Sequence, residues 1–125
     1  MPTLLLAEDN AFNQKVAATM LKKIGFEVDL AQNGQEALDK IAADDDGHYG
    51  VVFMDCEMPV MDGYKATQEI RKLEETTGKH VVIIAMTAHG SPEDRQQCLD
   101  CGMDDYIAKP FKMDSLKDAL EKWKI

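Results

Sequence analysis

The sequence of 125 residues contains no apolar run long enough to cross a membrane. Its longest strongly apolar run extends only from Val81 to Met86, and no basic stretch of the signal-peptide kind opens the chain. Basic residues are also outnumbered, with 14 Lys and Arg against 23 Asp and Glu, and they form no cluster. These absences argue against membrane insertion and direct nucleic-acid binding, and we expect a cytoplasmic protein.

Cysteine is scarce as well, and its odd count of three argues against a disulfide framework. Cys98 and Cys101 form a CxxC pair, but no second pair or nearby His completes a zinc site. We interpret both as plain helix residues and Cys56 as a buried packing residue.

Apolar segments of strand length alternate with helical patterns along the whole chain, which predicts a single domain over residues 1–125. The apolar segments are rich in Val, Ile and Leu, as in strands that are buried on both faces of a parallel sheet. They are Thr3–Ala7, Glu27–Ala31, Gly50–Met54, His80–Met86 and Asp105–Ala108.

Five helices are predicted between and after these strands. Val16, Met20 and Ile24 share one apolar face of the first helix. The third is expected from about Asp62 to Leu73, and the fourth opens at Ser91-Pro92 and stops at Gly102. Five βα repeats predict an α/β fold, a doubly wound sandwich in which helices cover both faces of the sheet.

Polar residues follow four of the five predicted strands, where functional groups of such sheets gather. Glu8-Asp9 follows the first strand, Asp55 the third, Thr87 the fourth and Lys109 the fifth. Three carboxylates near one point repel each other, by roughly 4 kcal/mol per pair at 4 Å and an effective dielectric of 20. Protonation of one acid or a hard divalent cation would offset this repulsion, and an all-oxygen cluster suits Mg²⁺.

Asp55 lies between the acidic pair and the Thr87/Lys109 pair, which makes it the best-placed nucleophile. Carboxylates attack phosphorus to give acyl phosphates. Lys109 and the metal would neutralise the transferred oxygens, and Thr87 would donate its hydroxyl. The alternatives are an electrostatic network that only connects loops, and a capping role for Thr87.

Four motifs complete the pattern: "AEDN" with Asn13 and Gln14 behind it, "MDCEMPVMDG", "MTAH" and "GMDDYIAKPF". Over essentially its whole length the chain resembles a response-regulator receiver domain, and it is similar to the receivers of hybrid sensor histidine kinases. The resemblance implies a flavodoxin-like sheet of order 2-1-3-4-5 and a cis peptide before Pro110.

The resemblance also implies a function, namely that Asp55 accepts a phosphoryl group from a phosphohistidine. Asp9, Asp55 and the backbone carbonyl of Glu57 would ligate Mg²⁺, for which Mn²⁺ could substitute, and Glu8 would act through water. The phosphodonor would be a sensor histidine kinase or a histidine phosphotransfer domain. We do not expect a stand-alone enzyme, although the chain would catalyse its own phosphorylation and dephosphorylation.

Thr87 and Lys109 would bind the phosphoryl oxygens, and Tyr106 would be the aromatic switch. Tyr106 could also be a plain core aromatic. The phosphate would bias two pre-existing states and signal to an output domain on the same or another chain. Glu57 and His89 would lie at the rim of the site, although both could be ordinary exposed residues.

The resemblance places the partner contact at the start of the first helix and after Lys109. The residues concerned are Asn10, Asn13, Val16, Pro110 and Phe111, and Val16 could equally belong to the core. Two other function classes stay open. A haloacid-dehalogenase-like phosphatase could use Asp55, but 125 residues leave no room for its usual cap. A flavodoxin-like binding module would need a phosphate loop where this chain has acids.

Overall fold

The computed structural model describes residues 3–44, 49–56, 58–87, 91–108 and 112–123. Strands and helices alternate along these segments. The strands are β1 (Thr3–Ala7), β2 (Val28–Ala31), β3 (Tyr49–Asp55), β4 (Val82–Thr87) and β5 (Asp105–Ala108). The helices are α1 (Ala11–Ile24), α2 (Gly34–Ala42), α3 (Gly63–Thr77), α4 (Pro92–Asp100) and α5 (Met113–Lys122).

All five strands pair in parallel, in the order β2-β1-β3-β4-β5, which confirms the predicted topology. From β1 the chain adds β2 on one side and then crosses to the other side to form β3. The direction of winding therefore reverses between β1 and β3. Ligands of open α/β sheets bind at the carboxyl ends of the strands beside such a reversal.

The core consists of two layers, one on each face of the sheet. Leu4, Leu6 and Phe53 face α1 and α5, and they pack with buried residues of those helices. Leu5 and Val52 point to the opposite face, where α2, α3 and α4 cover them. This alternation follows from the period of two along a strand, and it explains why the strands are apolar throughout.

Several predicted strand boundaries are shifted by one or two residues. β3 runs to Asp55 instead of Met54, and β4 runs from Val82 to Thr87 instead of from His80 to Met86. The ladder extends because Asp55 pairs with Met86 and Thr87 pairs with Ala108. The two polar residues are therefore the last residues of their strands rather than the first residues of loops. β2 also begins one residue later than predicted.

The helix boundaries differ in a similar way. α3 begins after Asp62, whose side chain caps the Lys65 amide, and it continues past Leu73 to Thr77. α4 ends at Asp100 rather than reaching Gly102, and the predicted cap at its start is confirmed. In the described part of the chain, no helix is long and apolar enough to span a bilayer.

Candidate functional site

Three carboxylates converge at the carboxyl edge of the sheet. Each of Glu8, Asp9 and Asp55 offers one oxygen, and these oxygens all lie within 4.8 Å of one another. Glu8 is 2% exposed and Asp55 is 5% exposed, whereas Asp9 faces solvent. The sequence predicted this cluster from strand-end positions alone. Its exposed member gives a ligand access to the two buried ones.

Glu8 is held in place by the first turn of α1. Its Oε1 accepts hydrogen bonds from the Asn10 backbone amide at 3.3 Å and from Asn13 Nδ2 at 3.2 Å. The side-chain amide of Gln14 donates to the Glu8 carbonyl. Asn10 also caps α1 by accepting from the Asn13 amide at 3.0 Å. The residues after "AED" therefore orient a buried carboxylate, a role that the sequence did not reveal.

Asp55 and Thr87 end neighbouring strands, and Asp55 lies on β3 beside the reversal of winding. The Cys56 amide donates to the Met86 carbonyl at 3.1 Å and continues the ladder past Asp55. Thr87, 5% exposed, follows Met86, which is the register partner of Asp55. The structure thus brings together the predicted acceptor and the predicted hydroxyl donor on two rigid strands.

The loop after Asp55 requires glycine where α3 begins. A Cβ atom on Gly63 would lie 2.3 Å from the Asp55 carbonyl oxygen, closer than any side chain can approach. The Gly63 amide instead donates to the Cys56 carbonyl at 3.1 Å. Gly34 of α2 makes a similar close approach, and its amide donates to Met61 at 2.9 Å. These contacts anchor Met61 to the start of α2 and Gly63 to the end of β3, both within the motif "MDCEMPVMDG".

Two exposed apolar side chains lie within five residues of Asp9 and Asp55 in the sequence, and the sequence analysis did not single them out. Phe12 is 74% exposed in the first turn of α1, and Val60 is 83% exposed in the loop after β3. Val60 has a φ of 69°, which is strained for a β-branched residue. Strained backbone of this kind is concentrated at functional sites. Periodicity could have placed Phe12 outside the core face of α1, whereas no sequence signal marks Val60.

Cys56 lies directly after the predicted acceptor, buried against Cys98 with a sulfur separation of 3.9 Å. Burial raises the pKa of the Cys56 thiol well above its usual range. The pKa of Cys98 is raised for the same reason. Both thiols are therefore neutral at physiological pH, and the packing role predicted for Cys56 is confirmed.

Tyr106 lies on β5, half-buried against the layer that α2, α3 and α4 cover. It pairs with Ala85, while Ala108 pairs with Thr87. Side chains two residues apart share a face of the sheet, so Tyr106 and Thr87 belong to the same face. This placement is compatible with both predicted roles of Tyr106, as a switch and as a core aromatic.

Several predicted site residues lie outside the described part of the chain. They are Glu57, His89, Lys109, Pro110 and Phe111. Of the predicted partner contacts that the structure describes, Asn10 is exposed, whereas Asn13 and Val16 are half-buried. Asn13 Nδ2 donates to Glu8 Oε1 at 3.2 Å, and Val16 precedes the buried Ala17 of α1.

The donor set fits a hard divalent cation. All three side chains supply oxygen, and one of them is exposed, so that water could complete the coordination. Mg²⁺ binds through few carboxylates and keeps several waters. Glu8, Asp9 and Asp55 are the described residues that would hold such an ion.

Comparison with protein families bears directly on this site. Residues 4–121 match the family model for the response regulator receiver domain. The chain belongs to the response regulator receiver family. This membership favours the receiver interpretation over the phosphatase and flavodoxin-like alternatives.

Curated relatives show the same affiliation. Hybrid signal transduction histidine kinase A of Dictyostelium discoideum is 45% identical over 120 residues, which cover 95% of this chain and 6% of that protein. The chain therefore spans only a small part of the curated relatives that it matches.

Two solved receivers share the fold over nearly the whole chain. The receiver domain of sensor histidine kinase PA1611 from Pseudomonas aeruginosa, with magnesium in its active site cleft, is 43% identical with a TM-score of 0.86. The match covers 98% of this chain and 96% of the PA1611 receiver chain. The co-crystal of Saccharomyces cerevisiae Ypd1, a histidine phosphotransfer protein, with the Ssk1 receiver gives 32% identity and a TM-score of 0.89. Coverage there is 98% of this chain and 88% of the matched one.

Proposed function

We propose that this receiver domain accepts a phosphoryl group from a phosphohistidine onto Asp55 in a two-component phosphorelay. The observation that carries the proposal is the convergence of Glu8, Asp9 and Asp55 within 4.8 Å, in a chain of the receiver family. Asp55 combines a rigid strand-end position with a buried carboxylate.

In this proposal an Asp55 oxygen attacks the phosphorus and forms the O–P bond as the P–N bond to the donor imidazole breaks. The other ring nitrogen of the donor imidazole takes up a proton from solvent, so that the ring leaves as neutral imidazole. The Thr87 hydroxyl and the Lys109 ammonium are proposed to receive the phosphoryl oxygens, and Glu57 and His89 are proposed to form the rim of the site. Buried donors at fixed positions stabilise charge that develops on those oxygens.

We propose that Glu8, Asp9, Asp55 and the Glu57 carbonyl hold Mg²⁺, and that Mn²⁺ substitutes for it. When bound, the ion neutralises charge on the acids and on the transferred phosphoryl group. Glu8 needs a fixed orientation for this role, and the amides of Asn10 and Asn13 supply it. The three free cysteines suit a reducing compartment, so we also propose a cytoplasmic location.

Intact-mass measurement with a small phosphodonor and Mg²⁺ tests the central step. We expect one added phosphoryl group in the wild type, and none in Asp55→Asn or after chelation of the metal. Asp62→Asn is the matched control, because Asp62 lies in the same loop and Asn caps helices as well as Asp does. Labelling that persists in Asp55→Asn would refute the assignment.

The donor's docking surface is proposed to include Asn10, the exposed Phe12 and Val60, and the segment Pro110-Phe111. Asn13 and Val16 would support it from α1. Phe12 and Val60 are exposed apolar side chains close in sequence to Asp9 and Asp55, and a few well-buried anchors carry most of the binding energy of a typical interface.

Transfer from a phosphorylated histidine phosphotransfer domain tests this surface in the same assay. Phe12→Ala and Val60→Asn should each slow protein-mediated transfer about tenfold, on the hot-spot scale of 1–2 kcal/mol, and leave labelling by the small phosphodonor unchanged. Leu30→Ala, which truncates an exposed apolar residue on the edge strand β2, is the control. Equal transfer rates in all variants would exclude the surface.

A further inference from the structure

The guanidinium of Arg95 lies over the ring of Tyr106, with its central carbon 5.4 Å from the ring centroid. Arg95 is an exposed residue of α4, and Tyr106 is a half-buried residue of β5. This separation is within the range in which a cation is attracted to an aromatic face. The contact therefore joins α4 to the aromatic residue proposed as the switch.

Nearby acids do not compete for Arg95 in the described structure. Asp105 accepts from Trp123 Nε1 at 2.9 Å and pairs with Lys122 at 3.4 Å. Asp104 pairs with Arg71 at 2.8 Å. Among the described residues, no carboxylate lies within 4 Å of the Arg95 guanidinium. The Tyr106 ring is thus the partner that holds this cation.

Open space lies on both sides of the pair. Two surface hollows, of about 460 and 360 Å³, are each lined by both Arg95 and Tyr106. Both hollows reach the ring, so solvent can approach Tyr106 beside the guanidinium. The attraction of Arg95 is therefore one restraint that favours the outward position of the ring.

The inner side of the ring leads toward the proposed phosphorylation site. Tyr106 pairs with Ala85, a small residue, and Thr87 lies two positions farther along the same face of β4. An inward rotation of the ring would approach Thr87 and leave Arg95. The contact with Arg95 consequently belongs to the outward position and is lost in the inward one.

We infer that Arg95 is a positioning residue that holds Tyr106 outward and so sets how readily the domain switches. The inference rests on the proposed function, because it gives Tyr106 the switch role. A cation over an exposed ring is worth about 0.5–1 kcal/mol, which corresponds to a twofold to fivefold change in the switching equilibrium. Arg95 would tune the switch without contact with the phosphoryl group.

The test uses 3-fluorotyrosine and ¹⁹F NMR, because the chain has only three tyrosines. Tyr106→Phe assigns the Tyr106 signal, and beryllofluoride with Mg²⁺ serves as the phosphoryl mimic. In Arg95→Met without beryllofluoride, we expect the Tyr106 signal to lie closer to its beryllofluoride-bound position than in wild type. The population of the inward state should be twofold to fivefold higher. Arg95→Lys should restore part of the wild-type position. Lys117→Met, which removes an exposed cation of α5, should change nothing.

The outcomes separate this inference from the proposed function. If Tyr106 responds to beryllofluoride but its position is the same in wild type and Arg95→Met, the role of Arg95 is refuted while the switch stands. If Tyr106 responds in no variant, although intact mass shows a phosphoryl group on Asp55, the switch role fails and the inference fails with it. If Asp55 is not labelled, the proposed function itself fails.

Discussion

The sheet uses the same acidic residue types in opposite ways at the carboxyl ends of its strands, the carboxyl edge, and at their amino ends, the amino edge. At the carboxyl edge, oxygens of Glu8, Asp9 and Asp55 converge within 4.8 Å of one another. At the amino edge, Glu74 and Asp104 converge on Arg71 instead, with N to O distances of 2.6 and 2.8 Å.

The amino-edge acids also serve the backbone. Glu74 accepts from the Val81 amide at 2.6 Å, and Asp104 accepts from the Ile83 amide at 2.9 Å. Arg71 further donates to the carbonyls of Gly102 and Val81, both at 2.8 Å. The cluster around Arg71 thus connects the end of α3 to the starts of β4 and β5.

The difference teaches how to separate charge that stabilises a fold from charge that binds a ligand. Paired and hydrogen-bonded ions at the amino edge satisfy one another, so their removal leaves buried groups without partners. The acids at the carboxyl edge also have partners, such as the amides that donate to Glu8, but their like charges repel one another and a bound divalent cation would relieve that repulsion. The first arrangement predicts a loss of stability on mutation, and the second predicts a gain.

Arg71→Met should produce the largest effect on stability. It removes the Arg71 donor from two carboxylates and two carbonyls, and we expect the free energy of unfolding to fall by about 3 kcal/mol, the lower end of the range for a broken buried pair. Urea unfolding followed by circular dichroism gives the measurement. Arg71→Lys should recover only part of the loss, because an ammonium cannot reproduce the geometry of four donated hydrogen bonds.

Lys72→Met is the matched control, since Lys72 is 68% exposed in its side chain and pairs with Glu69 only at the surface. The Lys72→Met substitution should change the free energy of unfolding by no more than about 0.5 kcal/mol, as for most surface substitutions. If Arg71→Met and Lys72→Met unfold alike, the contrast between the two edges is wrong.

Asp55→Asn should have a smaller effect of opposite sign. It removes one of three converging charges, and we expect about 1 kcal/mol of added stability in metal-free buffer, a fraction of the Coulomb repulsion between such charges. Mg²⁺ at ten times its dissociation constant should stabilise the wild type by about 1.4 kcal/mol and the variant by much less. A loss of stability in metal-free Asp55→Asn would contradict the account of the carboxyl edge.

Much of the carboxyl edge was predictable because its determinants are local. Continuous apolar segments indicated buried parallel strands, and the polar residues at their ends had to meet at one edge. Glu8, Asp9, Asp55 and Thr87 were all found this way. Strand lengths were less accurate, because the ladder continues through the polar residues Asp55 and Thr87, which carry no apolar signal.

The amino edge was not predictable, because its contacts are distant in sequence. Glu74 lies in a helix segment rich in charge, yet it is 9% exposed. Arg71 reaches Asp104 across 33 residues, a pairing that no spacing rule contains. His80 was predicted only to open a strand, but its Nε2 lies 2.9 Å from Asp104 Oδ1. The apolar spacing of α3 favours Leu73 as an inward residue, but Leu73 is only half-buried, whereas charge pairing with Arg71 buries Glu74 beside it.

Tyr49→Phe should have the smallest effect on stability, and that effect should depend on pH. Tyr49 opens β3 at the amino edge, and its hydroxyl donates to Asp29 Oδ2 at 2.7 Å. Burial, with this bond to a carboxylate, raises the pKa of Tyr49 to about 12. In the unfolded chain the tyrosine ionises near the ordinary pKa of 10, so Tyr49 contributes its full stability below pH 10 and loses it as the pH rises toward 12.

We expect the free energy of unfolding of the wild type to exceed that of Tyr49→Phe by about 1 kcal/mol at pH 8, and this difference should shrink above pH 10. Urea unfolding at several pH values measures the difference in stability, and ultraviolet titration of the phenols measures the pKa of Tyr49. A native Tyr49 that ionises near pH 10 would show that the amino edge does not hold its acids and donors together as the structure indicates.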